Sequence, residues 1–416
     1  MTSEAKAQPL DVIVVGAGIG GLATAAALRK AGHRVKIYEL HANKTEVGAG
    51  LAMQSNAMRV LNWLGCERAH LKGTDMVGVN LVNALTGEDN PVQWATEEFQ
   101  KEEALVGVAC HRRDLHDELK RLATAADAMD ERPAELFLGK KVVACDPEAG
   151  SVTLDDGEVI SGDVVVGADG VRSVICSAVL QEEVQASATG WACFRCSFDA
   201  TNRKDFPELA WLDAPGICFS SIGIPIPELN EWIVYLIRDK SIVNMAAFIP
   251  DTEQDSKPWA EVIDVETMRA KYTAANYHPS FLRLFDLPPT SAALRWQLRA
   301  MPLLPTWTRG RALILGDAAH ATLPLLGQGA GMAIEDAAAL AILLPLGTNK
   351  DEVRGRLEGW QTLRKERGEF VNVQSVAQAE PDGRGKFLKQ EELRMGLISY
   401  DVVQAAEKYF AENFVA

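Results

Sequence analysis

Several things are scarce in this 416-residue chain, and each shortage excludes a class of protein. No apolar run approaches the roughly 20 residues needed to span a bilayer, and the longest candidate, Ala337 to Leu346, contains Pro345, so no integral membrane contact is expected. Cations are outnumbered, with 42 Lys and Arg against 57 Asp and Glu and a net charge of −15. That excess repels a polyanion unless basic residues cluster, so nucleic acid is not an expected partner. Seven cysteines, odd in number and scattered, argue against a disulfide framework and for reduced thiols. The first nine residues are polar and carry both signs, unlike a secretory leader, and the expected location is cytoplasmic. Seven dispersed histidines offer no pair at metal-ligand spacing, so no metal site is expected. His111 and His116 read as the start and the exposed face of a helix. The close pair Cys193-Phe-Arg-Cys196 has redox spacing, but it sits in an alternating segment, Trp191 to Phe198, that reads as a strand with the two thiols on opposite faces.

The composition is otherwise that of a folded globular chain, and the length suits two or three domains. Leu10-Asp-Val-Ile-Val-Val15 is a short β-branched run, the pattern of a strand buried on both faces, and it runs directly into Gly16-Ala-Gly18-Ile-Gly-Gly21. The Ala-rich stretch to Lys30 favours helix and stops before Gly32, and His33 to Glu39 reads as a second strand ending on an acid. In such a β-α-β unit Gly16 makes the tight turn, Gly18 lets backbone approach a pyrophosphate, and Gly21 lets helix pack on strand. The helix N-terminus supplies N–H groups to the phosphates, and Glu39, 18 positions beyond Gly21, suits an adenosine ribose. The spacing predicts a dinucleotide site without choosing between FAD and a nicotinamide cofactor.

Two later elements repeat the theme. Val164-Val-Val-Gly167-Ala-Asp169-Gly170-Val-Arg172-Ser173 follows a predicted hairpin around Asp155-Asp-Gly157. Ala312-Leu-Ile-Leu-Gly316-Asp317-Ala-Ala-His320 continues through Pro324 to Gly327-Gln328-Gly329-Ala330-Gly331, where a new helix is expected to start.

Together these motifs resemble the FAD-dependent aromatic hydroxylases, the single-component flavoprotein monooxygenases of the p-hydroxybenzoate hydroxylase family, in the salicylate hydroxylase-like branch. The resemblance rests on Gly16, Gly18, Gly21 and Glu39, on Asp169-Gly170, and on Gly316-Asp317. It extends to Gly48-Ala-Gly50 with Ser55-Asn56-Ala57, to Cys110 through Leu115, to Trp360, Arg364 and Arg367, and to Ser399-Tyr400-Asp401, covering about residues 10–405. Two positions depart from the family pattern. Cys176 stands where an arginine is usual, with Arg172 a candidate substitute for its charge, and Gln54-Ser55 stands where the branch often has proline.

The resemblance implies an α/β fold with a Rossmann-like FAD-binding domain, an inserted strand-rich substrate domain and C-terminal helices. The expected boundaries are 1–76, 104–183 and 298–345 for FAD, 77–103 and 184–297 for substrate, and 346–416 for the helical segment. It implies FAD as cofactor, NADPH or NADH as co-substrate, and O2 with a small aromatic substrate, in a monomer or homodimer. The reaction implied is hydroxylation of a phenolic or aromatic-acid substrate through a flavin hydroperoxide, with or without decarboxylation. Alternatives are oxidation of a larger indole, polyketide or terpenoid, and a flavin-binding protein without turnover. Cofactor contacts are expected at Gly16, Gly18, Gly21, Glu39, Gly50, Arg112, Asp169, Asp317, Gly327, Gly329, Ala330 and Gly331. Asp317 as a helix cap is the competing reading.

Residues 186–297 change character, with aromatic and β-branched strands and proline turns such as Pro225-Ile-Pro227. Arg195 and Cys193 share one strand face and Phe194 and Cys196 the other. A charge in that apolar strand needs a partner, either a substrate or flavin oxygen or an acid such as Asp199. Tyr235 is a candidate hydrogen-bond partner of the substrate oxygen, or else a core residue. Pro324 is expected beside flavin and substrate, and His320 near the flavin, orienting backbone or relaying a proton. Residues 251–272 read as helix-forming, and 347–356 and 380–392 as solvated connectors and helix faces.

Overall fold

A computed structural model describes residues 7–42, 49–93, 105–214, 219–223, 231–251, 259–380 and 390–415. Gly48, the turn Pro225 to Pro227 and residues 381–389 lie outside the described residues.

The β-branched run Asp11–Val15 forms an inner strand of a six-stranded sheet, because it has apolar layers on both sides. The order is Thr308–Arg309, Ala312–Ile314, Val164–Gly167, Asp11–Val15, Arg34–Glu39, Glu135–Leu138, parallel except for the two-residue edge at Thr308. The three strands that carry glycine motifs, Asp11–Val15, Val164–Gly167 and Ala312–Ile314, are therefore neighbours, and their C-terminal turns open at the same edge, where α/β sheets bind ligands. The helix Ile19–Lys30 is buried along nearly its whole length and packs on the helix Gly329–Leu343, both rich in alanine. The C-terminal helices Val353–Ala377 and Val402–Phe414 cover the other side of Gly329–Leu343.

A second, eight-stranded sheet runs Ala260–Ile263, Ala293–Ala300, Ser187–Asp199, Ile242–Pro250, Glu231–Ile237, Phe219–Gly223, Gly78–Asn83, Asp89–Gln93. Strict alternation gives it two different faces. Phe194, Cys196, Trp232, Val234, Met245 and Ala247 bury a core closed by the helix Val265–Ala274 and the Tyr277–Phe285 segment. The opposite face carries Arg195, Ala246 and Ile233 in one row and Trp296, Cys193, Phe248 and Glu231 in the next.

Three sequence expectations change. Of the stretch 251–272, residues 252–258 lie outside the described residues, and the rest divides into the strand Ala260–Ile263 and the helix from Val265, with Asp264 capping the latter. The stretch 347–356 already enters the helix Val353–Ala377. His116 is not on an exposed face: it is buried, with Nε2 2.8 Å from the carbonyl of Ala17. His111 does start its helix, accepting from the Arg113 N–H through Nδ1.

Candidate active site

One cavity of about 1040 Å³ lies where the glycine turns of the first sheet meet the Arg195 face of the second. At its far end Gly16 has φ +98°, and a Cβ there would lie 2.4 Å from the carbonyl oxygen of Ala168. A Cβ on Gly21 would lie 1.9 Å from the Gly16 oxygen, so the helix can seat on the turn only through a glycine. Gly21 itself does not line the cavity, in keeping with its packing role. Gly18, the N-cap of Ile19–Lys30, supplies no side-chain cap, which leaves N–H donors of the first turn for a ligand. Glu39 is held at its strand end by the N–H groups of Ala17 at 2.7 Å and His41 at 3.0 Å.

Asp169 lines the cavity but spends its carboxylate on the loop: it accepts from Ser173 Oγ at 2.5 Å and from Val174 N–H at 2.8 Å. Burial pushes its carboxyl up, against the opposing effect of those bonds. Cys176, in place of the family arginine, is buried, and desolvation and then Asp169 push its thiol up to about 11. Arg172 stands on the cavity rim, its guanidinium 4.5 Å over the Trp259 ring, which Arg299 also covers at 4.1 Å.

Asp317 is exposed, lines the cavity and makes no ion pair among the described residues. It does not cap its helix; Gly316, at φ +59°, holds the cap position with no side-chain bond. Arg112 reaches the cavity from the first turn of its own helix. Gly327, at φ +61°, with Gly329 and Ala330 forms the floor at the start of the helix Gly329–Leu343. That loop is pinned by residues from the segment after Gly50. Gln54 donates to the Leu326 carbonyl at 2.9 Å and accepts from Gln328 Nε2 at 2.7 Å, and Asn56 donates to Gln328 Oε1 at 2.9 Å. Thus Gln54, a departure from the family pattern with no evident role in sequence, clamps the glycine loop. Gly331 faces away from the cavity, onto Ala57 and Asn56.

His320 is also outside the cavity. Its Nε2 donates to Asp336 Oδ2 at 2.6 Å, its ring packs 5.2 Å from that of Trp307, and both groups are buried. Asp336 further accepts from Arg364 Nε at 2.9 Å and from the Gly316 N–H at 3.2 Å. The adjacent Glu335 pairs with Arg364 at 2.8 Å and Arg367 at 2.7 Å and accepts from Asn56 at 2.6 Å. Burial alone would raise both carboxyls, but Arg364 and Arg367 around Glu335, and His320 and Arg364 around Asp336, hold them below their ordinary values. His320 is placed to position the Gly316 turn, not to touch substrate.

On the opposite wall, Arg195 and Tyr235 both line the cavity, as does Pro324 across from them. Among the described residues Arg195 forms no ion pair, and it acts on the Cys193 thiol of its own strand face. The alternative partner Asp199 instead accepts from Thr201. Cys193 and Cys196 are both buried, and desolvation pushes their thiols up, which disfavours the thiolate form. Gly50 lines the cavity, yet the reason it is glycine lies in the other sheet: a Cβ would sit 2.6 Å from the Tyr235 hydroxyl and 2.7 Å from Asn244.

This donor set fits FAD. A glycine cradle and an uncapped helix N-terminus suit a pyrophosphate, carboxylates of Glu39 and Asp317 suit sugar and ribityl hydroxyls, and a second uncapped N-terminus at Gly329 suits an electron-rich ring.

Residues 9–374 match the family model described as FAD binding domain. Hispidin-3-hydroxylase of Neonothopanus nambi is 38% identical over 412 residues, 96% of each chain. An FAD-dependent monooxygenase of Aspergillus candidus is 33% identical over 379 residues, 89% of this chain and 86% of its own. The structure of salicylate hydroxylase with its substrate shares the fold, with a TM-score of 0.76 at 23% identity over 98% of this chain and 100% of the other.

Proposed function

The chain belongs to the FAD-binding family of flavin-dependent monooxygenases, and from that premise we propose that it hydroxylates a phenolic or carboxylated aromatic ring laid against the Arg195 face of the eight-stranded sheet. When bound and reduced by NADPH or NADH, FAD would supply the electrons that activate O2, the source of the inserted oxygen atom. The observation that carries the substrate reading is Arg195, a cation on an apolar cavity wall without an acid beside it. Arg195 is half-buried on that wall, and an anionic substrate oxygen closing over it offsets the loss of its solvent.

The other residues divide the remaining work. Gly16, Gly18 and the helix from Ile19 hold the pyrophosphate, and Glu39 and Asp317 accept hydroxyls. Arg112 offers a positive charge from outside the dinucleotide. The N-terminus at Gly329 stabilises negative charge on the ring by about 1 kcal/mol. Tyr235 is set to hydrogen-bond the substrate oxygen, which lowers that oxygen's pKa and favours the electron-rich phenolate. Pro324 and the neighbouring Leu323 and Leu325 keep that end of the cavity apolar and exclude water. The FAD part comprises 1–76, 104–183 and 298–345, and the substrate part 77–103 and 184–297.

The test is NAD(P)H oxidation by the purified yellow protein with aromatic acids and with hispidin, the compound in the relative's name, followed by product mass. Substrate-stimulated oxidation with a gain of one oxygen atom is expected. Failure to retain FAD after reconstitution overturns the cofactor reading, and unchanged substrate affinity in Arg195→Met removes Arg195 from the site.

A further inference from the structure

The cavity wall that carries Arg195 continues past it to an uncovered indole. Trp296, on the strand Ala293–Ala300, pairs with Cys193 and so stands on the same sheet face as Arg195, its diagonal neighbour at roughly 7–8 Å between Cα atoms. Both side chains line the cavity. The register places Tyr235 on the other side of Arg195, since it pairs with Asn244, which pairs with Ser197, two residues along from Arg195. Tyr235, Arg195 and Trp296 thus follow one diagonal of the wall, with the cation between a phenol and an indole.

Trp296 is 44% exposed, while Trp232, Trp307 and Trp360 are fully buried. Its cross-strand neighbours account for this, because Cys193 on one side and Ala260 on the other are small and cover little of a ring. Phe248 and Leu298 on the same face are buried with Leu323. Among the described residues Trp296 stacks on no ring and lies under no cation, whereas the Trp259 ring is covered by Arg172 and Arg299. An indole left open in a cavity gains most from a flat partner, since aromatic pairs are stabilised beyond the area they bury.

We propose that Trp296 is a specificity-determining residue that stacks on a second ring of the substrate, and that the substrate class is extended, multi-ring aromatic acids or enols. The inference rests on the reading of Arg195 as the partner of an anionic substrate oxygen. A single-ring acid held between Arg195 and Tyr235 leaves the indole to water. A fused or conjugated second ring, on the opposite side of Arg195, covers it.

The experiment titrates FAD-loaded enzyme with salicylate and with 3-hydroxy-2-naphthoate, which adds only a fused ring to the same carboxyl and hydroxyl, and reads the perturbation of the bound-flavin absorbance. The wild type is expected to bind the naphthoate about tenfold more tightly or better. In Trp296→Ala that preference falls about tenfold with salicylate affinity unchanged, and Trp296→Phe, which keeps a ring, retains most of it. Should Trp296→Ala fail to load FAD, Trp296→Leu, apolar but without a ring, must lower the preference about threefold. A preference that survives the loss of the ring, or a wild type that favours salicylate or binds neither acid, overturns the role of Trp296. So does a raised KM for NAD(P)H in Trp296→Ala with the preference intact, which assigns the indole to the nicotinamide. Arg195→Met is expected to weaken both acids equally. If it weakens neither, the Arg195 reading falls separately, whatever the preference does.

Discussion

His320 and Asp336 lie Nε2 to Oδ2 at 2.6 Å in a site from which solvent is excluded, and the second oxygen of Asp336 is taken by Arg364 at 2.9 Å. Asp336 and its neighbour Glu335 divide the two cofactor-facing loops between them. Asp336 holds the Gly316 turn through its N–H and through His320, while Glu335 holds the Gly327–Gly329 loop through Asn56 and Gln328. Arg364 joins the two acids and ties both loops to the C-terminal helix Val353–Ala377.

Asp336→Asn therefore removes one of the two carboxylates that hold Arg364, together with the charged acceptor of the His320 bond, in a dry interior. The expected cost is about 3–5 kcal/mol, the scale for breaking a buried pair by removing one member. Urea denaturation with and without FAD measures it. Destabilisation within experimental error of zero would mean that the network is dispensable.

The same pair makes stability depend on acid. Glu335 and Asp336 are held below ordinary values of 4.5 and 3.8, so the unfolded chain takes up protons at a higher pH than the folded one. Their contribution is fully present above those values and is lost as pH falls below them. Denaturation midpoints of FAD-loaded enzyme between neutrality and strong acid should drop in that window, and Glu335→Gln should be less stable at neutral pH with a shallower drop. An identical acid profile in the variant would contradict this.

Asp317→Ala should separate cofactor binding from folding. The carboxylate faces the cavity without an ion pair among the described residues, so its loss leaves the chain's own bonds intact. FAD affinity is expected to fall about tenfold or more, the value of a charge-assisted hydrogen bond, with the denaturation midpoint of the FAD-free protein unchanged. Fluorescence titration of FAD decides it.

Gly50→Ala tests the contact between the two sheets. Its Cβ would meet both the Tyr235 ring and hydroxyl at 2.6 Å and Asn244 at 2.7 Å, so one strand must yield. Destabilisation of about 1–3 kcal/mol is expected, together with weakened substrate affinity because Tyr235 is displaced. A variant with wild-type stability would show that the sheets separate freely.

Much of the site was readable from local pattern. A buried strand, a glycine turn and a helix follow from period and residue type within 30 residues, and Glu39 stands at the predicted strand end. The period of two on Ser187–Asp199 correctly put Arg195 and Cys193 on one face. His320 and Gly331 were a different matter. Each sits in a motif that reaches the cavity, yet the His320 ring points away to Asp336 and Trp307, and Gly331 faces Ala57.

By itself the sequence determined the elements and the chemistry they carry: glycine where backbone must come close, acids at strand ends, a cation in an apolar strand. Only the tertiary structure decided which of these groups face one cavity. Partners such as Gln54 and Leu326, or Asn56 and Glu335, are more than 270 residues apart, and no periodicity within a helix or strand encodes their meeting. Glu231 shows the same limit. It reads as one acid among 57 until two intervening strand pairings set it on the wall that Arg195 shares, because the register of a sheet is a property of several strands together.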